Sequence, residues 1–214
     1  MSRSTRSRRP EAAARRAGAP SPGRLAAAAL LVAATAIAGQ AAASPAVTAG
    51  TPAPAHVREY VGDLPPAGSG RLTWFGLHVY DAALYAPARF DLADPTTQRF
   101  VLELTYARRL DGRGIADASR DEIERLGFGT QAQRARWHEQ MLKLFPDVEK
   151  GRRLAGVNVP GSGARFYFDG RFLGSIDEPA FARAFFAIWL DERTKAPRLR
   201  EDLLKTAPAR TAGT

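Results

Sequence analysis

The sequence predicts an α+β fold, because its strand-like segments come in two groups, each followed by two helical segments, instead of alternating singly with helices. Within the strand groups apolar side chains recur with a period of two, and an Asp169-Gly170 pair joins two such runs as a hairpin turn. Within the helical groups the apolar spacing changes to three and four.

The elements follow in order. Arg71–Pro87 opens the body as a sheet-forming segment rich in β-branched and aromatic residues: Thr73, Trp74, Phe75, Val79, Tyr80 and Tyr85. Arg99–Ala107 alternates, with Phe100, Leu102, Leu104 and Tyr106 on one face and Val101, Glu103 and Thr105 on the other. Ile115, Ser119, Ile123 and Leu126 then recur at helical spacing up to Gly127. Trp137, Met141 and Leu144 do the same before Pro146, which ends that helix. Arg153–Val159 is the next strand, and Ala164–Phe168 and Arg171–Ile176 flank the Asp169-Gly170 turn. The third helix is expected to be capped by Asp177, with Ile176 stapled onto Phe181, and to run to about Leu190. A short helix near Pro197 should bury Leu199, Leu203 and Leu204.

The ends of the chain read differently. Residues 1–43 have the layout of a secretory signal peptide: an arginine-rich start, the uncharged apolar run Leu25–Ala38, and small residues ending Ala41-Ala42-Ala43. The fourteen residues of that run fall short of the roughly 20 that span a bilayer. Cleavage is expected before Ser44, and the product is expected to be periplasmic or secreted, with no membrane span left. Residues 44–55, poor in large apolar side chains, read as a flexible leader. Residues 56–206 form the domain, and residues 207–214 read as a frayed tail.

The chain carries a net charge of +9, but seven arginines against one acid lie in residues 1–43. The remainder has 24 basic and 21 acidic residues, interleaved, which argues against a nucleic-acid partner. No cysteine is present, which removes disulfides, thiolate metal sites and cysteine nucleophiles. The three histidines, His56, His78 and His138, lie in different segments without metal-ligand spacing, so neither a metal nor another cofactor is expected. Gly161-Ser162-Gly163 lacks both the serine-nucleophile frame and the phosphate-loop lysine and reads as a loop. Asp121, Glu122 and Glu124 read as a solvated helix face, and Ser119 with Glu122 matches a capping box that would mark a helix start.

One constellation remains. Tyr106 and Arg108, two apart on an extended segment, can share a face, and Arg71 and Tyr80, with Tyr85, lie on the other aromatic-rich segment. Arg71, Tyr80, Tyr106 and Arg108 are therefore the candidate lining of an apolar pocket with a cationic end. Arginine offers a planar donor fork to a carboxylate and tyrosine adds a hydroxyl, which suits a small apolar or amphipathic, fatty-acid-like ligand.

Several motifs, in order, resemble the bacterial chalcone isomerase-like proteins: Gly76–Tyr85, Leu104–Arg108, Phe145–Val148 with Gly151, and Ala187–Leu190 with Leu199-Arg200 and Leu203-Leu204. The resemblance spans about Val61 to Leu204. It implies an open-faced β-sandwich in which a large antiparallel sheet is covered by a layer of helices, with a ligand cleft between them. In the enzymes that cleft holds catalytic arginine, threonine and tyrosine; relatives without activity bind fatty acids through an arginine and a tyrosine. In this chain Ile115 stands where the catalytic tyrosine would be, Phe75 stands at the offset of the threonine, and Arg71 is the nearest arginine. Isoleucine can neither donate a hydrogen bond nor move a proton. The expectation is an exported, non-catalytic binder. The alternatives are an isomerase or intramolecular lyase acting on an enone, and a module that binds an envelope protein partner.

Overall fold

The computed structural model describes residues 53–205. The expected signal peptide, most of the leader and the tail at 207–214 lie outside the described residues. In chain order the elements are α1 (Ala55–Val61), β1 (Gly68–Trp74), β2 (Leu77–Tyr85), β3 (Phe100–Tyr106), α2 (Gly112–Arg125), α3 (Gln131–Leu144), β4 (Arg153–Val159), β5 (Gly163–Phe168), β6 (Arg171–Ile176), α4 (Pro179–Leu190) and α5 (Pro197–Leu203). A single 3-10 turn, Pro95–Thr97, lies in the β2–β3 connection.

The six strands pair in sequence order, β1-β2-β3-β4-β5-β6, and every pair is antiparallel. Because β3 and β4 are neighbours, the intervening α2 and α3 must leave the sheet and fold back over one face of it. The final helices join the same layer, α4 over β5 and α5 over β1. This is the α+β open-faced sandwich that the sequence predicted.

Strand alternation divides the interior in two. The row Leu84, Leu102, Gly156, Phe166 faces the helix layer and belongs to the main core with Phe181, Phe185, Phe186 and Trp189 of α4. Gly156 packs tightly there: an added Cβ would lie 3.1 Å from the Phe186 ring, which would have to shift by a few tenths of an ångström. The opposite row, Ala83, Glu103, Ala155, Tyr167, faces outward. On that side α1 covers a smaller core of Val57, Tyr85, Val101, Ala155, Val157 and Tyr167.

Five local expectations need correction. Arg71–Pro87 is two strands joined at Phe75 (φ 45°) and Gly76 (φ 75°), positive at both central positions as a type I′ turn demands. A phenylalanine at such a position gives no turn signal. Asp169 (φ 47°) and Gly170 (φ 81°) form the expected turn. The seven-residue α1, which begins inside the expected leader, was not foreseen: such a helix is too short to form alone and is held by tertiary contacts. The residue capping α4 is Glu178, not Asp177, and its carboxylate instead accepts from Trp137 Nε1 at 2.8 Å. Ser119 lies within α2 and donates back to the Ile115 carbonyl, whereas the actual capping box is Thr130 with Gln133 at the start of α3. Finally, Glu122 is no solvated residue: only 1% exposed, it pairs with Arg125 and Lys195.

Candidate ligand-binding site

The four sequence candidates do not converge. Tyr80 and Tyr106 are partners across β2 and β3, with ring centroids 5.9 Å apart, and both are buried beneath the helix layer. The Tyr80 hydroxyl accepts from Trp189 Nε1 at 2.9 Å. Burial pushes both phenols well above the ordinary tyrosine range; the Trp189 hydrogen bond opposes this for Tyr80, and the Tyr80 phenol adds to it for Tyr106. They remain neutral groups that cannot serve as bases at ordinary pH.

Arg71 lies on the other side of the sheet. Its strand neighbour Leu72 pairs with Tyr80, so alternation turns Arg71 outward, where its Nε donates to Asp81 Oδ1 at 2.8 Å. Arg108 is exposed in the bend after β3. The strand ends at Tyr106, and with it the alternation that would have placed Arg108 beside that tyrosine.

The structure does open a pocket of about 370 Å³ elsewhere, between α4, the β2–β3 connection and the segments joining α2 to α3 and α4 to α5. That volume falls within the range of small-molecule sites. Arg183, Phe186, Ala187 and Leu190 line it from successive turns of α4, at the three- and four-residue spacing that puts side chains on one helix face. Phe128 and Leu92 complete the apolar wall, and Asp94 and Thr96 stand on the polar side.

Three arginines border the pocket, and two are already engaged. Arg193 grips Asp191 through two hydrogen bonds of 2.8 and 2.9 Å and lies over the Phe128 ring. That grip holds the Asp191 carboxyl below its ordinary range. Arg200 donates to the Leu190 carbonyl at 2.7 Å and reaches Glu192 at 3.9 Å. Arg183 is exposed and has no hydrogen bond or ion pair among the described residues, so its guanidinium is free for an incoming anion. Sequence reasoning missed it. The signal available was a lone cation in the otherwise apolar run Phe181–Leu190.

Ile115 and the buried ionisable groups lie apart from this pocket. Ile115 is buried in the main core. The buried carboxylates Glu103 and Glu122 are paired with His56 and with Arg125 and Lys195, respectively. His138 bonds Asp117 at 2.7 Å on the helix surface. No group of three or more potential metal ligands occurs among the described residues. The arrangement is suited to holding a molecule.

A family model described as chalcone isomerase-like matches residues 49–205. The chain belongs to the chalcone isomerase-like family. Among solved structures, this chalcone isomerase-like protein is similar to a fatty-acid binding protein of Arabidopsis thaliana, with 16% sequence identity and a TM-score of 0.54 over 66% of this chain and 87% of that one. At that identity the likeness establishes the shared fold. Comparison with curated proteins finds no match.

Proposed function

We propose that this chalcone isomerase-like protein is an exported, non-catalytic binder of a small amphipathic anion, of the fatty-acid type, held beside α4. The carrying observation is the pocket itself: an apolar wall of Phe186, Ala187, Leu190 and Phe128 leads to Arg183, the one bordering arginine with no partner among the described residues. An aliphatic tail would displace water from the wall while the guanidinium forks onto a carboxylate. Fatty-acid binding by the Arabidopsis protein of the same fold supports this ligand class. Export rests on the layout of residues 1–43, and no helix among the described residues is long and apolar enough to cross a membrane.

Native mass spectrometry of protein recovered from the exported fraction, followed by denaturation, tests both parts. The expected result is a mass for Ser44–Thr214 plus a releasable acidic adduct. An intact, cell-associated chain would refute export. A mature form that is ligand-free and takes up no added fatty acid would refute the binding role.

A further inference from the structure

The tip of the β1–β2 hairpin is an apolar feature without a role inside the fold. Phe75 is 76% exposed and Leu77 51%, and they flank Gly76 at the turn. Phe75 occupies left-handed backbone (φ 45°), where glycine or asparagine would be favoured over a bulky ring. The Trp74 ring backs it edge-on at 4.4 Å. A strained aromatic that buries little of itself in its own protein points to a contact beyond it.

Cations accompany this tip. Backbone hydrogen bonds from Ala107 to Val79 and from Gly151 to Tyr106 bring the segment after β3 and the segment before β4 to the hairpin's end of the sheet. Arg108, Arg109 and Lys150 are thereby gathered there, all exposed. Arg109 reaches only Glu149, at 4.0 Å, and Arg108 has no ion-pair partner among the described residues.

We propose that this tip docks into the interfacial layer of an anionic lipid bilayer, with Phe75 and Leu77 entering the boundary between headgroups and acyl chains and the cations meeting lipid phosphates. A tip this small falls far below the roughly 800 Å² per partner of a stable protein interface. A few apolar side chains with neighbouring basic residues suffice for reversible attachment to an anionic membrane. The inference stands on the hairpin tip and the cations beside it and does not depend on the pocket beside α4.

The test uses the exported form Ser44–Thr214, which lacks the seven arginines and the apolar run of residues 1–43, and vesicles whose acyl chains carry bromine, which quenches nearby tryptophan. The chain has three tryptophans and none before Trp74; Trp137 and Trp189 are buried. Quenching therefore reads Trp74 at the tip. Vesicles containing phosphatidylglycerol should quench the wild type at about fivefold lower lipid concentration than pure phosphatidylcholine does. F75S/L77S should weaken this by about tenfold or more, and R108A/R109A should remove the preference for anionic lipid. Both sets of substitutions lie on the surface, and an unchanged melting temperature would show that the variants fold. Equal quenching of wild type and F75S/L77S, or binding without any quenching, would overturn the proposal. So would dimers that F75S/L77S abolishes and vesicles that leave Trp74 unquenched, since the tip would then belong to a second copy.

Discussion

Glu122 shows how much one side chain contributes to the pocket wall. Its carboxylate, 1% exposed on α2, accepts from Arg125 Nε at 2.8 Å and lies 3.4 Å from Lys195 Nζ. Arg125 in turn donates to the Arg193 carbonyl at 2.7 Å, so this cluster ties α2 to the segment that borders the pocket. Glu122→Ala removes the buried member of the cluster and leaves Arg125 and Lys195, 32% and 24% exposed, to be solvated by water, so it should cost about 1–3 kcal/mol in urea unfolding. A loss below about 1 kcal/mol would show that the cluster is not coupled to stability. The tyrosines make a second residue-scale prediction. Burial, aided by the Glu103 charge and opposed by Arg153, pushes Tyr85 up to about 12, and Tyr80, Tyr106 and Tyr167 are also raised by burial. A phenol whose folded pKa lies above its unfolded value favours folding fully below about pH 10 and loses that contribution as pH rises. Stability should therefore fall from about pH 10 through about 12, with tyrosinate absorbance appearing alongside unfolding. Ionisation of Tyr80, Tyr85, Tyr106 and Tyr167 with a common midpoint at about pH 10 in a protein that stays folded would contradict this burial.

At the scale of elements, α1 and the β1–β2 turn were the parts hardest to read in the sequence, for opposite reasons. The α1 segment has no length or amphipathic repeat to announce it, and its stability comes from contacts distant in sequence. His56 Nε2 meets Glu103 Oε2 at 2.8 Å, and the same ring stacks on Tyr167 at 5.5 Å. His56→Ala would leave the buried Glu103 carboxylate without its nearest partner, at a cost of about 1–3 kcal/mol. Amide exchange in residues 55–61 should accelerate before that in the strands; uniform acceleration would mean that α1 does not open separately. The turn was hidden by an aromatic residue at a position that normally announces itself with asparagine or glycine. Phe75→Asn should therefore raise the melting temperature, since asparagine tolerates left-handed backbone, while weakening attachment to anionic vesicles. An unchanged or lower melting temperature would show that Phe75 is not strained. Where period and punctuation agreed, as at β3 through β6, the elements were legible almost to their ends; α2 and α3 were legible by their apolar period and by where they stop, while their starts, at Gly112 and Gln131, were not.

Over the whole molecule, the α+β class followed from the grouping of strands and helices and the layered sandwich from the resemblance to chalcone isomerase-like proteins, but the location of the binding site followed from neither. Spacing along one strand can show which residues share a face. It cannot show that Arg71 faces away from Tyr80 across a bulged hairpin, or that the strand carrying Tyr106 stops before Arg108. The pocket is assembled from four separate stretches of chain, and Arg183 acquires meaning only because Arg193 and Arg200 are engaged by their own neighbours. Anion binding therefore turns on Arg183, and calorimetric titration of a medium-chain fatty acid, and of the alcohol of equal chain length, into wild type and Arg183→Ala tests it most directly. The wild type should prefer the acid, Arg183→Ala should lose about tenfold or more of the acid's affinity with the loss of a charge-assisted hydrogen bond, and the alcohol should bind both proteins alike. Equal acid affinity in the two proteins, or no binding of either ligand, would contradict it.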